Sequence, residues 1–203
     1  VELSRVACLA HEYDVPVIVD GAAQDLRLRQ LIGAGADIVI TSAHKFLCST
    51  TGGVVAGRKD LIDAVYLQNR GIGRPMKAGK EAIVGAMAAL EYRADQDMAA
   101  WTAEQDRRVQ RILDHLSSVR GLELGVDPDP NGCPFSRARL TPDPDVTGHT
   151  AESLTAALAE GDPTVVARDH HAVEGYIYLD AIEMTDDEID FACELVRQIL
   201  RAA

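Results

Sequence analysis

Two residues of this sequence could do covalent chemistry, and they stand 25 positions apart: Asp20 and Lys45. Asp20 closes the apolar run Val15-Pro-Val-Ile-Val19, and Lys45 ends Thr41-Ser-Ala-His-Lys45, directly after the apolar stretch Ile38-Val-Ile40. A carboxylate at the end of a buried strand sits where open α/β sheets bind their ligands. A lysine held among apolar neighbours loses proton affinity and becomes an amine able to form an imine or act as a base. Taken alone, each has a plainer role: a strand-end aspartate commonly caps a turn or helix, and a lysine after a strand is commonly solvated. The chain has only four lysines (Lys45, Lys59, Lys77 and Lys80) against 16 arginines, so the amines are confined to one stretch.

The elements that must position these side chains follow from periodicity. Residues 1–14 place Leu3, Val6, Ala7 and Ala10 at helical spacing, ending before Pro16. The run 15–19 then predicts a strand buried on both faces; a helix over 25–32, broken by Gly33 and Gly35, leads to a second buried strand over 37–41. Helix and strand alternating in this way predict a mostly parallel α/β sheet. A third strand is expected over 53–57 and a helix over 59–68. A long helix over 79–119 carries the small residues Ala82, Gly85, Ala86 and Ala89, which suit close packing in its first half. Beyond Gly121 the turn clusters Asp127-Pro-Asp-Pro-Asn-Gly132 and Pro142-Asp-Pro-Asp145 mark a change of organisation. Strands are expected there at 135–141, 164–168 and 175–180, with helices over 150–159 and 185–201. The last helix opens on the capping box Thr185-Asp-Asp-Glu188. The domain reading is therefore 1–78 for a large α/β domain, 79–119 for a connecting helix and 120–203 for a small α+β domain.

Asp20 and Lys45 gain meaning as a pair. A carboxylate facing a pyridinium keeps the ring nitrogen protonated, and a lysine carries the ring's aldehyde as an imine. An aspartate at one strand end and Ser-x-His-Lys at the next thus point to pyridoxal phosphate (PLP). The segments 17–23, 37–45 and 52–57 resemble the core of fold-type I PLP enzymes. More narrowly, Gly71-Ile-Gly-Arg-Pro-Met-Lys-Ala-Gly-Lys-Glu81 and Gly161-Asp-Pro-Thr-Val-Val-Ala-Arg168 resemble the SelA-type branch, especially its D-glucosaminate-6-phosphate ammonia-lyase members. The resemblance runs over nearly the whole chain. It implies the C-terminal part of an aspartate aminotransferase-type large domain followed by the small domain, with Asp20 on the pyridine nitrogen, Lys45 as imine carrier and base, and Ser42 on the cofactor phosphate. It also implies that the family's phosphate loop and ring-stacking residue precede Val1, and that the intact protein is a homodimer. After the lysine, Cys48-Ser-Thr-Thr51 stands where the family leads one to expect a Gly-Pro loop.

Other residues complete the expected site. Arg168, after the apolar Thr164-Val-Val-Ala167, offers a planar fork suited to a substrate carboxylate. Arg74, Lys77 and Lys80 form a basic cluster suited to a phosphorylated substrate, although a solvated or acid-paired loop has the same composition. His44 could stack on or bond near the cofactor, or serve a structural role. Neither His149 nor Asp169-His-His171 has enough neighbouring ligands for a metal, and none is assigned.

These readings give an ammonia-lyase acting on an amino-sugar acid or amino acid. A seryl-tRNA selenium transferase is the first rival, but the formal charge of -12 opposes a polyanion surface. A transaminase or desulfurase is the second; the latter needs a mobile catalytic cysteine, and Cys133 lies in an unpromising Asn-Gly-Cys-Pro setting. A non-catalytic half-protein is the third. No apolar run approaches a membrane span and the four cysteines form no C-x-x-C pair, so a cytoplasmic protein with no membrane partner is expected.

Overall fold

The computed structural model describes residues 2–182 and 184–201, the side chain of Asp25 aside. It divides into two units, Val1–Gln96 and Asp97–Ala203.

In the first unit, helix α1 (Leu3–His11) precedes strand β1 (Ile18–Asp20); α2 (Leu28–Gly33), entered through a 3-10 turn, precedes β2 (Ile38–Ser42). Then come β3 (Gly53–Gly57), α3 (Lys59–Leu67) and α4 (Lys80–Asp95). The sheet order is β1-β2-β3. β1 and β2 are parallel, with Asp20 opposite Ile40, whereas β3 runs antiparallel to β2. The third strand is the antiparallel member of this sheet. Residues 43–52 are too few for a parallel crossover, which needs a dozen or more, so the chain turns back on itself.

Two contacts close the sheet at the start of β1 and β2. Gly35 has φ +106°, and a Cβ there would lie 2.6 Å from the Ala7 methyl, so only glycine lets α1 and the turn after α2 meet. Beside it, buried Asp37 accepts hydrogen bonds from the Val17 amide (2.7 Å), His11 Nε2 (2.8 Å) and Arg58 Nη1 (3.0 Å). The Val17 amide first, then His11, hold this carboxyl below the usual range.

One correction concerns burial. Val39 and Thr41 are buried on one face; on the opposite face Ile38 and Ser42 are buried too, while Ile18 is 59% and Ile40 43% exposed, with Val55 exposed beside them. Strand β1 is therefore not covered on both sides. Apolar composition reported a strand correctly, but not how many of its faces a helix covers.

The second unit begins where one helix over 79–119 was expected. Gln96 is extended (φ -71°, ψ 128°), and Asp97 starts a new helix by accepting from the Ala99 and Ala100 amides, giving α5 (Met98–Leu116). Strands β4 (Leu122–Pro128) and β5 (Ser136–Pro142), the short α6 (Pro144–Thr147), α7 (Ala151–Ala159), β6 (Ile177–Leu179) and α8 (Asp186–Arg201) follow. The antiparallel sheet has the order β4-β5-β6. Its inward residues, Ala138, Leu140, Ile177 and Leu179, pack with Ile112, Leu116, Leu154, Ile189 and Val196 of α5, α7 and α8 into one closed core. Strand β4 has no counterpart in the expected strands. The expected strand over 164–168 is an extended segment: the Val165 amide bonds the Leu158 carbonyl at the end of α7, and Val166 is 85% exposed. The Thr185/Glu188 capping box forms as expected. No helix among the described residues is long and apolar enough to cross a membrane.

Candidate active site

Parallel pairing places the ends of β1 and β2 on the same edge of the first sheet; two hydrogen bonds fasten them together and a third shapes the turn after β1. The Gly21 amide donates to the Ile40 carbonyl (2.7 Å), the Ser42 amide to the Ala22 carbonyl (3.2 Å), and the Ala22 amide to Asp20 Oδ1 (3.1 Å). Asp20 is thus both a turn residue and an exposed carboxylate with a fixed orientation. The turn that orients it also grips the strand carrying Ser42.

Ser42 is buried, and its hydroxyl lies 3.0 Å from His44 Nδ1. Beyond it the chain forms a tight loop. The Ala43 amide donates to the Gly52 carbonyl, Ser49 to Ala43, and Cys48 to Lys45. Ala43 and Leu47 are buried anchors, while His44 and Lys45 point outward and are exposed. Within this chain Lys45 is exposed, because the alternation that tucks Ala43 and Leu47 under the loop turns the lysine out. Cys48 adopts φ +55°, a conformation that favours glycine and fits the expectation of a glycine in this loop.

Helix α4 braces the loop through residues that carried little or no sequence signal. Arg93 donates from its guanidinium to the Phe46 carbonyl, next to Lys45. A Cβ on Gly85 would lie 2.6 Å from Thr50 Oγ1, and one on Gly52 would lie 3.6 Å from the Ala82 methyl. The run of small residues in α4 foretold this close approach; nothing singled out Arg93.

Arg74, in the 3-10 turn Arg74–Met76, is exposed, as are Lys77 and Lys80. Among the described residues none is joined by a hydrogen bond or ion pair to Asp20, Ser42, His44 or Lys45. Arg168 belongs to the second unit, where its Nη2 donates to Asp180 Oδ2 at 3.1 Å. A groove of about 520 Å³ in that unit, between the segment 163–166 and the start of α8, carries Asp187 and Glu188, the wrong sign for an anionic substrate. Among the described residues, no group of three or more His, Cys, Asp or Glu side chains is placed to hold a metal ion.

The donor set at the first sheet's edge fits PLP: a fixed carboxylate, a serine hydroxyl with its histidine, and a primary amine on a braced loop, all on the side of the sheet where the strands end. The beta-eliminating lyase family model matches residues 1–128. The chain belongs to the beta-eliminating lyase family. Over 98% of its length it is 33% identical to the 5'-C-glycyluridine monooxygenase-decarboxylase of a Streptomyces species, covering 50% of that protein. It is 32% identical over 96% of its length to the D-glucosaminate-6-phosphate ammonia lyase of Salmonella typhimurium, covering 52% of it. A solved D-glucosaminate-6-phosphate ammonia-lyase superposes with a TM-score of 0.78 at 30% identity, over 100% of this chain and 54% of that one. The lyase-family chain has the fold-type I architecture, and it spans about half the length of these relatives.

Proposed function

We propose that the protein containing this chain is a PLP-dependent lyase that removes ammonia from a phosphorylated amino-sugar acid, and that Asp20, Ser42, His44 and Lys45 are this chain's share of the cofactor site. The observation that carries the reading is the parallel pairing of β1 and β2, which brings Asp20 and the Lys45 loop to one edge, fastened by the Ser42–Ala22 hydrogen bond. When bound, PLP supplies an electron sink for negative charge at the carbon bearing the amine.

The chain's own residues supply the rest. Asp20, oriented by the Ala22 amide, holds a proton on the ring nitrogen. The Ser42 hydroxyl, paired with His44, donates to a phosphate oxygen. The Lys45 side-chain nitrogen takes the proton from the carbon bearing nitrogen. The Arg168 guanidinium binds the substrate carboxylate, and Arg74, Lys77 and Lys80 draw in the substrate phosphate. The neighbouring hydroxyl leaves as water, and a water then hydrolyses the resulting imine at the carbon bearing nitrogen, supplying the keto oxygen and releasing ammonia; the net change is loss of ammonia to give a 2-keto-3-deoxy sugar acid phosphate. The intact protein is a homodimer in this reading.

Lys45→Ala is expected to abolish the visible absorbance of PLP-loaded protein and to lower turnover by at least about a thousandfold. Unchanged absorbance in that variant would refute the assignment of Lys45. The likeness to the Streptomyces enzyme favours a second reading, decarboxylation at the same edge. Product analysis separates the two: ammonia with retained carboxylate carbon supports the first, carbon dioxide the second.

A further inference from the structure

The outer face of the second sheet carries a chain of alternating charges that ends at Arg168. Its buried end is Asp129, whose Oδ2 accepts from the Asn131 and Cys133 amides (3.0 and 3.1 Å) and whose Oδ1 accepts from Arg137 Nη2 at 2.7 Å. Arg137, only 8% exposed, also donates from Nε to Asp180 Oδ2 at 3.1 Å, and its guanidinium lies 5.0 Å from the Phe135 ring centre. Asp180 Oδ2 in turn accepts from Arg168 Nη2. The other oxygen of Asp180 is buried and makes no hydrogen bond.

We infer that Asp180, locked by Arg137 and Asp129, is the positioning residue that aims the Arg168 guanidinium at a substrate carboxylate. This rests on reading Arg168 as the carboxylate clamp.

Three features argue for aiming over incidental pairing. The backbone of Arg168 is fixed where its neighbours are not in a strand: its amide and carbonyl both pair with Tyr178, at 2.9 and 3.0 Å. On the antiparallel ladder Asp180 is two residues beyond Tyr178, hence on the same face and diagonal to Arg168, within reach of a long side chain. Next, one guanidinium, Arg137, stands between two carboxylates, Asp129 and Asp180, so the group retains a negative charge that Arg168 meets. Lastly, the hold is partial. Arg168 is 44% exposed and spends a single N–H on Asp180, which leaves its other donors for an incoming carboxylate. An arginine free to rotate must be ordered when substrate binds, whereas one already tethered at Nη2 has lost much of that freedom beforehand.

The probe is 6-phosphogluconate, a sugar-acid phosphate without the amine, titrated into the protein by calorimetry alongside the guanidinium Nη–H resonances of Arg168 in 15N-labelled protein. Asp180→Ala is expected to weaken binding about tenfold and to bring the Nη2–H signal to the fast-exchanging state of a solvated arginine. Asp180→Asn, which keeps the shape and one acceptor, is expected to lose about threefold and guards against a folding defect. Arg168→Ala should weaken binding by at least as much as Asp180→Ala, and the double variant no further than Arg168→Ala alone. If Arg168→Ala weakens binding while Asp180→Ala changes neither affinity nor resonance, the positioning role is overturned and the clamp stands. If Arg168→Ala leaves affinity unchanged, the clamp falls and this inference falls with it.

Discussion

The two units divide the labour of the molecule unequally. Of the buried apolar residues described, 20 of 26 lie in the second unit; of the exposed large apolar residues, 18 of 23 lie in the first. The second unit closes three helices over one face of its sheet and spends the other face on a charge network. In the first, the candidate catalytic groups stand on an edge beside a sheet face on which Ile38 and Ser42 are buried but Ile18, Ile40 and Val55 are exposed within this chain. Within this chain, which spans about half the length of its relatives, the unit that carries Lys45 exposes the more apolar surface. Its order comes instead from polar fastenings: the Asp37 knot at one end of the strands and the Ser42–Ala22 clip at the other. Within this chain the second unit closes its own core, whereas the ends of the first unit's strands are fixed by hydrogen bonds.

The widest gap this contrast predicts is in thiol reactivity. Cys8 and Cys48 of the first unit are exposed; Cys133 and Cys193 of the second are buried. Burial pushes the Cys193 thiol up to about 12, so its thiolate is scarce at neutral pH. With a thiol reagent at pH 7, Cys193 should react at least about a thousandfold more slowly than Cys8. Equal rates would show that the second unit opens as readily as the first.

Core truncation comes next. Leu140 is fully buried between the sheet and the helices of the second unit, and Leu140→Ala should cost about 3 kcal/mol in denaturant unfolding. A smaller gap is expected at the polar knot. The carboxyl of Asp37 is held below its ordinary value, chiefly by the Val17 amide, so its stabilisation is present above about pH 4 and is lost as pH falls through the depressed folded value. Asp37→Asn should therefore speed amide exchange of Val17 and Ile38 several-fold at pH 6, with little added effect on acidification, whereas the unaltered protein converges on the variant as the carboxyl protonates. Exchange that is the same in both at pH 6 would remove the knot from the account.

How much of this was readable in sequence follows the same division. Runs of apolar residues ending in Asp20 and in Ser-Ala-His-Lys located both strands and the candidate groups, because a strand-end side chain is placed by local chain direction. The capping box at Thr185 was readable for the same reason, its partners being three residues apart. What escaped depends on contacts distant in sequence or on counts of covering elements. The chain direction of β3 follows from the short connection over residues 43–52, a constraint of length that apolar patterning does not carry. The Asp97 cap that splits the long helix was legible as an aspartate before an alanine pair, yet helical spacing continued through it. Arg93 on the Phe46 carbonyl spans 47 residues and had no local sign at all. The tether from Arg168 to Asp180 joins two residues that each look like ordinary strand-end charges.

The smallest expected effect is the sharpest test of the open face. Val39 and Ile40 are neighbours on β2 whose side chains point to opposite sides of the sheet; Val39 is fully buried, and Ile40 lies between Asp20 and Val55 on the open side. Threonine at either position keeps a β-branched side chain, so strand preference changes little and the comparison isolates burial. Val39→Thr places a hydroxyl where no water reaches and should cost about 2 kcal/mol. Ile40→Thr should fall within about 0.5 kcal/mol of the unaltered protein, because its hydroxyl remains in water. Equal costs at the two positions would mean that Ile40 is covered in solution. The first unit would then have a second closed layer, and the contrast between a fastened unit and a packed one would collapse.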